Sequence, residues 1–327
     1  MTNGMNGNFL LLEQNFMSFY MLYDIEELDN VRIIHSKSVT RNKLVNFFYN
    51  LHHSGKIQKY LKLPFQSLWD DVLFGKLMKD FHPDYIVFSL SWYSDHLVSY
   101  FRKKNKQTKL ILRFSDMVVN SLGGEDFKLI EKIKNQFDGI LVYSQEDADK
   151  YGFTYHSMGY SAIDGTLMKK CPQYDVVFIG AEKGRLDKIR RAYNIFKSAG
   201  LSCFFYVFGV KEDDRIDDGI IYADQVMSFP EYISYEVAAR CLFEIVQEGS
   251  SGRTYRMMES IIYDKPLITN CTEIKETPYY NNEYIQLYKD VSEIDSTFVR
   301  NLPEKISFNY KGDFSPIRDL EFIENKW

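Results

Sequence analysis

The sequence contains only four cysteines, and their positions exclude two common roles of cysteine. No two of them form a Cys-x-x-Cys pair, and no group of histidines and cysteines has the spacing of a metal site. Neither a disulfide framework nor a bound metal ion is therefore expected. We expect reduced, buried thiols, as in a cytoplasmic protein. The cysteines are Cys171, Cys203, Cys241 and Cys271.

Long apolar runs are also lacking. No run reaches the roughly 18 apolar residues that a membrane-spanning helix needs, and the apolar run that begins at Phe9 is interrupted by Glu13, Gln14 and Asn15. The N-terminus has no basic stretch followed by an apolar one, as a secretory leader would have. We therefore expect a soluble chain, or at most one that is attached to a membrane surface.

Acidic residues are absent from two windows of the first half, although the whole chain has a net charge of −5. Residues 30–69 contain seven Lys and Arg, and residues 96–115 contain six. Such windows fit an anionic surface at the inner face of the cell membrane, into which Phe47, Phe48 and Tyr49 could insert. A solvated helical face with buried aromatic residues is the alternative. No nucleic acid is expected as a partner, because no nucleic-acid-binding module is visible.

Short apolar runs alternate with segments of helical periodicity throughout the chain. This pattern is typical of parallel α/β sheets with helices on both faces. The predicted strands are Phe9–Leu12, Val31–His35, Tyr85–Ser89, Lys109–Phe114, Gly139–Ser144, Asp175–Ile179, Cys203–Val207, Leu242–Gln247, Pro266–Thr269 and Glu283–Leu287. The predicted helices are Leu68–Asp80, Ser94–Lys104, Phe127–Gln136, Asp187–Ala199, Ser234–Arg240 and Thr254–Tyr263.

The series of strands and helices starts twice, which indicates two domains. Segment 152–172 has little periodicity, and the run from Tyr174 to Gly180 then has the pattern of a first strand that ends in glycine. We predict two doubly wound, Rossmann-like domains, residues 1–165 and 166–310, that face each other across a cleft and bind ligands at their strand carboxyl ends. Residues 311–327 are predicted to form a tail helix, with a Ser N-cap and Pro in the first turn.

The most informative segment runs from residue 241 to residue 270. An apolar run of strand length is followed by the small-residue loop Glu248-Gly-Ser-Ser-Gly252, a helix-like stretch and a second apolar run. This is one βαβ unit, whose loop presents backbone N–H groups at a helix N-terminus, where an anion is favoured. Arg253 and Arg256 can bind phosphate oxygens, and Glu259 can accept hydrogen bonds from a ribose diol. Phosphate and ribose together indicate a nucleotide.

Each of these residues also has a plainer interpretation. The loop could be an ordinary turn that needs glycine, but two glycines, two serines and two arginines in eight residues exceed what a turn requires. Glu259 could be a surface glutamate, or it could pair with an arginine of its own helix. Gly180, Lys183 and Arg185 follow the first strand of the second domain, where they could meet phosphate or form a solvated turn.

Candidates for a catalytic base follow two strands of the first domain. Asp116 comes after the strand that ends at Phe114, and Asp95 and His96 come after the strand that ends at Ser89. A base at such a position can remove a proton from an attacking hydroxyl, and Asp116 is the first choice. Helix N-capping is the alternative for both aspartates, and a structural role is the alternative for His96.

The triplet Asp147-Ala-Asp149 has the form of a metal-binding D-x-D sequence. It lies in Gln145-Glu-Asp-Ala-Asp-Lys150, which is typical of the acidic first turn of a helix. We therefore expect no metal ion there, and arginine, lysine and helix dipoles would stabilise a bound diphosphate.

Several of these segments together resemble the GT-B-fold glycosyltransferases, and in particular the bacterial enzymes that build capsule or lipopolysaccharide chains. In many of that family a glutamate, six residues and Pro-apolar-apolar-Thr end the donor-site helix and begin the next strand, as Glu259 and residues 266–269 do here. Many retaining members carry a first glutamate at the position of Ser251, so the resemblance slightly favours an inverting reaction. The matching stretches are Val176-Val-Phe-Ile-Gly180, Lys183-Gly-Arg185, Gly252-Arg-Thr-Tyr-Arg256, Glu259 and Lys265-Pro-Leu-Ile-Thr269.

The resemblance implies a transferase that moves a sugar from a nucleotide-sugar donor to a glycan or lipid-linked glycan acceptor in surface polysaccharide synthesis. The donor would be a substrate, and no separate cofactor is implied. A nucleotide-sugar epimerase of the same fold and a catalytically silent nucleotide-binding relative remain alternatives. A dehydrogenase is not expected, because no G-x-G-x-x-G follows a strand. The implied donor-binding residues are Gly180, Lys183, Arg185, Ser250, Ser251, Gly252, Arg253, Thr254, Arg256 and Glu259.

Overall fold

The computed structural model describes residues 5–13, 18–35, 43–53, 66–163, 165–247 and 252–327. The chain forms two compact units. The first comprises Met1–Ser161 together with Ser315–Trp327, and the second comprises Ala162–Phe314. The sequence-based division placed the boundary at 165/166 and treated 311–327 as a separate tail, whereas in the structure the C-terminal helix belongs to the first unit.

The first unit contains a parallel sheet of six strands in the order β2-β1-β3-β4-β5-β6. The strands are β1 (Phe9–Leu12), β2 (Val31–Ile34), β3 (Tyr85–Ser89), β4 (Lys109–Arg113), β5 (Gly139–Val142) and β6 (Thr154–Tyr155). The described helices of this unit are α1 (Ser18–Met21), α2 (Tyr23–Glu26), α3 (Lys43–His53), α4 (Gln66–Asp80), α5 (Asp95–Lys104), α6 (Val118–Leu122), α7 (Phe127–Gln136), α8 (Gln145–Tyr151) and α13 (Pro316–Lys326).

Alternate residues of β1 build two cores on opposite faces of this sheet. Leu10 and Leu12 pack into one cluster with residues of α4 and α5, and Phe9 and Leu11 pack into the other with residues of α2 and α13. All four side chains are buried, which is the pattern of a strand covered on both sides. Helices therefore cover both faces of the sheet, as the apolar runs predicted.

Helix α13 is fixed to the first unit by polar contacts as well as by its apolar face. Asp319 accepts a hydrogen bond from the Gly159 backbone N–H at 2.8 Å, and His156 Nε2 lies 2.9 Å from the same carboxylate. At Gly159 a Cβ atom would stand 2.7 Å from Pro316 Cα, so only glycine permits this approach of the two backbones. The tail is therefore an integral layer of the first unit.

The second unit contains a parallel sheet of six strands in the order β12-β11-β10-β7-β8-β9. The strands are β7 (Val176–Ala181), β8 (Cys203–Phe208), β9 (Ile221–Ala223), β10 (Cys241–Phe243), β11 (Leu267–Thr269) and β12 (Ile285–Leu287). The described α-helices are α9 (Leu186–Ser198), α10 (Phe229–Ala238), α11 (Tyr255–Ile262) and α12 (Thr297–Asn301).

An aromatic cluster forms one core of the second unit. Phe178 of β7, Phe205 of β8 and Phe243 of β10 pack side by side, with ring centroids 5.5–5.9 Å apart, and Phe196 of α9 contacts two of them. These residues occupy central strands, where both faces are shielded from water. The four cysteines are free; Cys241 and Cys271 are buried, and the other two are partly exposed. No helix in the described parts of the chain is long and apolar enough to span a bilayer.

Candidate active site

The strand order of the second sheet defines where a ligand is expected to bind. From β7 the chain moves to β8 and β9 on one side, and it later returns to β10, β11 and β12 on the other. The loops after β7 and β10 therefore diverge at the carboxyl edge of the sheet. In open parallel sheets, ligands bind in the crevice at this switch point. The candidate donor site therefore lies at the ends of β7 and β10, where the sequence pattern also placed it.

The loop after β7 turns sharply before helix α9. Lys183 and Gly184 have left-handed backbones, with φ of 40° and 74°, and the Gly184 N–H donates to the Glu182 carboxylate at 2.8 Å. Lys183 is exposed, so its ammonium is accessible to an anion. Gly180 lies inside the strand, where a Cβ would make only an ordinary contact with Phe178 at 3.4 Å. The need for glycine is therefore at Gly184 and not at Gly180.

Arg185 ties the two strand ends together. Its guanidinium donates to the carbonyl oxygens of Ala181 at 2.7 Å and of Ile245, which follows β10. It also donates to the Glu182 carbonyl at 3.3 Å. Each of the three guanidinium nitrogens therefore donates one hydrogen bond to a backbone carbonyl, which favours a role in positioning the two loops. The predicted contact of Arg185 with the donor stays a prediction.

The helix that follows β10 begins beside this switch point. Gly252 has φ of 102° and donates its N–H to Glu273 at 3.1 Å, and Thr254 caps helix α11 by accepting from the Met257 N–H at 3.2 Å. Arg253 is partly exposed, with its guanidinium 5.7 Å from the centroid of the Phe314 ring. Gly252, Arg253 and Thr254 therefore place a cation and a helix N-terminus together, a combination that suits phosphate. Ser250 and Ser251 lie outside the described residues.

Arg256 is buried inside the second unit, whereas Arg253 is partly exposed. The Arg256 guanidinium forms an ion pair with Glu236 of α10, donates to the Ile179 carbonyl at 2.6 Å, and stacks over the Tyr232 ring at 5.4 Å. Only 9% of Arg256 and none of Glu236 is exposed. Arg256 therefore joins α11 to α10 and β7. The predicted contact of Arg256 with a diphosphate stays a prediction. It would require the guanidinium to bind phosphate while it keeps its bonds to Glu236 and Ile179.

Glu259 lies in the same buried cluster. It is 1% exposed, and one carboxylate oxygen accepts a hydrogen bond from the Tyr232 hydroxyl at 2.5 Å. Of the interpretations raised by the sequence, the structure disfavours a solvated surface glutamate. A ribose contact remains a prediction, since the carboxylate faces the protein in this structure.

The cluster contains more acids than bases. Glu236, Glu244 and Glu259 surround Arg256, and Glu244 accepts a hydrogen bond from the Thr269 hydroxyl at 2.6 Å. Burial raises the pKa of Glu236 well above its ordinary value, with Arg256 opposing and Glu259 adding to the shift. Burial also raises the pKa of Glu244. Burial alone would lower the pKa of the Arg256 guanidinium. The surrounding carboxylates outweigh this effect and raise the pKa above its ordinary value. The guanidinium is therefore the charge on which the cluster depends.

Two members of this cluster, Tyr232 and Glu236, are not among the residues singled out from the sequence. They are four residues apart on α10, so they share one face of the helix. Their spacing among apolar residues is the only sequence signal for them, and it does not reveal the partners on α11. The tertiary packing of α10 against α11 is what makes the cluster.

In the first unit, the three candidate bases have different surroundings. Asp95 binds Lys132 and accepts from Gln136 at 2.9 Å; burial of this carboxylate opposes ionisation, but these hydrogen bonds prevail and lower its pKa. Asp95 is therefore a weaker base than an unpaired aspartate. His96 Nε2 lies 2.5 Å from Asp70, a fully buried carboxylate of α4.

Asp116 is exposed, as Asp95 is, whereas His96 is only partly exposed. Asp116 lies beyond the carboxyl end of β4, and its carboxylate accepts from the Met117 N–H at 2.7 Å and contacts Asn120 at 3.5 Å. The N-cap position of α6 is Met117, so Asp116 is not the capping residue, and its role as a base stays a prediction.

The aspartates of the D-x-D triplet have internal partners. Asp147 is buried and accepts from the Val118 N–H at 2.9 Å, and Asp149 accepts from Gln145 at 2.8 Å. Ser144 caps the helix they occupy. Within the part of the chain that the structure describes, no group of three or more His, Cys, Asp or Glu has the arrangement of a metal site.

Comparisons with known proteins identify the fold. No protein-family model and no curated protein sequence matches the chain. Among solved structures, it is similar to Anabaena HepE in complex with UDP-glucose, with a TM-score of 0.53, 10% identity, and coverage of 98% of this chain and 99% of HepE. Sucrose-phosphate synthase from Thermosynechococcus elongatus gives a TM-score of 0.53 and 11% identity, with 98% of each chain covered. The chain therefore has a GT-B glycosyltransferase-like fold, with two parallel α/β domains.

Proposed function

We propose that this protein is a glycosyltransferase that moves a sugar from a nucleotide-sugar donor to a glycan acceptor. The observation that supports this most directly is the switch point between β7 and β10. There a helix N-terminus and a partly exposed arginine stand at the carboxyl edge of a sheet with Rossmann-like order. HepE, which is similar over its whole length, was crystallised with UDP-glucose, so UDP-sugars are the first donors to consider.

The donor's diphosphate is proposed to lie at the start of α11. Gly252 and Thr254 shape the helix N-terminus, and Arg253 supplies a guanidinium that can bind phosphate oxygens. Lys183, on the facing loop, is a second cation for the leaving nucleotide. Ser250 and Ser251 complete the loop in the sequence pattern. Arg256 and Glu259 would act beneath this loop, by holding α11 against α10.

The first unit is proposed to act on the acceptor. Asp116 would remove the proton from the acceptor hydroxyl as its oxygen attacks the anomeric carbon and the bond to the nucleoside diphosphate breaks. The leaving diphosphate would be stabilised by Arg253 and the dipole of α11, without a resident metal ion. We propose an inverting reaction, because Ser251 replaces the first glutamate of many retaining enzymes. His96, oriented by Asp70, is the second candidate base.

The acceptor is proposed to be a surface polysaccharide of the capsule or lipopolysaccharide type, carried on a lipid at the inner face of the cell membrane. Helix α3 supports this location, since Leu44, Phe47 and Phe48 are 65%, 60% and 42% exposed. Tyr49, which the sequence pattern grouped with them, is instead buried in the first unit. Five of the seven basic residues of the window around α3 lie outside the described residues: Lys37, Arg41, Lys56, Lys59 and Lys62.

A thermal-shift screen against UDP, GDP, dTDP and CMP tests the donor proposal. A ligand that binds only the folded state raises the unfolding temperature, so one nucleotide is expected to produce a distinct shift. Arg253→Met is expected to weaken binding of that nucleotide about 10- to 100-fold, because a hydrogen bond from a guanidinium to a charged oxygen is lost. Titration calorimetry measures this change directly.

Arg191→Met is the matched control for that substitution. Arg191 belongs to the same unit but is exposed and paired with Asp290 at 3.2 Å, so its replacement is expected to leave nucleotide affinity unchanged. If none of the four nucleotides stabilises the protein, or if Arg253→Met binds as tightly as the wild type, the donor site is assigned incorrectly.

A further inference from the structure

Two adjoining cavities open at the amino edge of the second sheet, opposite the edge proposed for the donor. Arg240, Lys265 and Tyr284 stand one or two residues before β10, β11 and β12 and line the larger cavity, of about 820 Å³. The smaller cavity, of about 550 Å³, shares Tyr284, Ser307 and Asn309 with it. We call the two together the amino-edge groove. Sites for drug-sized molecules have volumes of about 300–1,000 Å³, so this groove has room for an extended ligand.

Lys265 presents a partly desolvated ammonium group to the groove. Its backbone is fixed by hydrogen bonds with Ser260, one from the Lys265 N–H at 2.7 Å and one from the Ser260 hydroxyl at 2.5 Å. The ammonium donates to the Ala239 carbonyl at 3.2 Å, and this is the one hydrogen bond it makes within the described chain. Burial lowers the pKa of Lys265, although Asp264 opposes the shift. Two of the three N–H donors are therefore available to an anionic ligand.

Two further cations and two acids line the larger cavity of the groove. Arg240 and Lys305 are exposed at its wall, and one Arg240 nitrogen donates to a backbone carbonyl at 3.1 Å. Of the two acids, Asp264 is occupied in accepting the Phe308 N–H at 2.7 Å, which holds the wall in place. Glu304 is exposed. The lining therefore has three cations and two carboxylates, a net charge of +1, and one of the two carboxylates is bonded to the wall itself.

Aromatic and amide side chains line the rest of the groove. Tyr280 is 38% exposed, and the rings of Tyr284 and Phe308 meet edge to face with centroids 5.5 Å apart. Asn282 and Asn309 lie at the rim and are exposed. Flat apolar ring faces beside hydrogen-bonding amides and hydroxyls match the surface of a sugar, which has apolar C–H faces and a rim of hydroxyls.

We propose that the amino-edge groove binds a stretch of an anionic glycan, whose sugars carry carboxylate or phosphate groups. Lys265, Arg240 and Lys305 would bind the acidic groups, and Tyr280 and Tyr284 would contact the sugar rings. Such a site would hold part of a polymer on the second unit, at a distance from its growing end. The inference goes beyond the proposed transfer reaction, and it stands on the groove's own residues.

Titration calorimetry with two glycans of equal length tests this proposal. A hexamer of galacturonic acid is expected to bind at least about tenfold more tightly than maltohexaose, which has no charge. Lys265→Met and, separately, Lys305→Met are expected to weaken binding of the acidic hexamer, the first by about tenfold or more, and to leave maltohexaose unaffected. Lys305 is exposed, so its variant is expected to fold normally even if Lys265→Met is destabilised.

Lys289→Met is the matched control, because Lys289 is exposed and follows β12 at the opposite edge of the sheet. It is expected to bind the acidic hexamer as the wild type does. Equal affinities for the two hexamers, or unchanged binding by both the Lys265 and Lys305 variants, would overturn the proposal. Binding of inorganic phosphate as tight as that of the hexamer would overturn the assignment to a glycan. The nucleotide screen is a separate measurement. A failure of the glycan-binding proposal is therefore distinguishable from a failure of the donor-site proposal.

Discussion

Replacement of Arg256 with methionine is expected to lower the free energy of unfolding of the second unit by about 3–5 kcal/mol. Methionine keeps much of the apolar stem but removes the cation that pairs with Glu236 and lies close to Glu244 and Glu259. Removal of one partner from a buried ion pair leaves the other charge uncompensated, which is why the expected loss is large. The change in free energy is measured by urea denaturation of the full chain, with unfolding of the second unit monitored by hydrogen exchange.

Three further variants separate this explanation from a simple loss of packing. Arg191→Met removes an exposed ion pair and is expected to cost about 1 kcal/mol or less. Glu236→Leu combined with Arg256→Met removes both charges and is expected to recover a large part of the loss. Arg256→Lys is expected to fold but to remain less stable than the wild type, because lysine cannot reach Glu236 and Ile179 with a planar fork. An Arg256→Met chain as stable as Arg191→Met would show that the cluster does not need its cation.

Asp116→Asn is expected to slow sugar transfer by about 10²- to 10⁴-fold, the usual contribution of a general base. The amide oxygen of asparagine can accept the same hydrogen bond from the Met117 N–H, so the folded structure is expected to be retained. The nucleotide-induced thermal shift should also be unchanged, since the proposed donor residues are in the second unit. The rate is measured as release of free nucleoside diphosphate from the donor that the screen selects, with water or a glycan as acceptor.

Asp126→Asn is the control for the loss of an aspartate charge near the start of a helix. Asp126 caps α7 by accepting from the Leu129 N–H at 3.0 Å, and it belongs to the same unit. This variant is expected to turn over donor at the wild-type rate. Full activity in Asp116→Asn would show that Asp116 only supports the turn before α6, and His96→Gln would then be the variant to examine, because Asp70 orients the His96 ring.

The sheet could be predicted from the sequence because its central strands are continuous apolar runs. Each of the ten predicted runs overlaps a strand of the structure, whereas β6 (Thr154–Tyr155) and β9 (Ile221–Ala223) were not predicted. These two strands lie at sheet edges, are two and three residues long, and have no fully buried side chain. Short edge strands are defined by their pairing with a neighbouring strand, and this pairing produces no pattern in the local amino-acid sequence.

Helix boundaries show the same dependence on local signals. Helix α13 was predicted because Ser315 and Pro316 mark its start, but its membership of the first unit depends on Asp319, Leu320 and Ile323, whose partners lie far along the chain. Helix α10 was expected from residue 234, whereas it begins at Phe229, with Pro230 in its first turn.

The secondary structure around the candidate donor site was predicted more reliably than the orientation of its side chains. The β10–α11–β11 unit has the predicted form, and Thr254 caps the predicted helix. Arg253 and Arg256 are three residues apart, which in a helix suggests a shared face. Arg253 precedes the helix, however, and only Arg256 is part of it, so one is partly exposed and the other is buried. The sequence cannot show that Glu236 of another helix attracts Arg256 inward.

Hydrogen–deuterium exchange with and without the nucleoside diphosphate selected by the screen tests the central claim most directly. We expect slower exchange in two segments, Glu182–Arg185 and Gly252–Met257, because their backbone N–H groups lie at the switch point between β7 and β10. Residues 264–267, at the amino edge of the same sheet, are expected to exchange at an unchanged rate. Protection of the amino edge, with both segments at the switch point unaffected by bound nucleotide, would contradict the account.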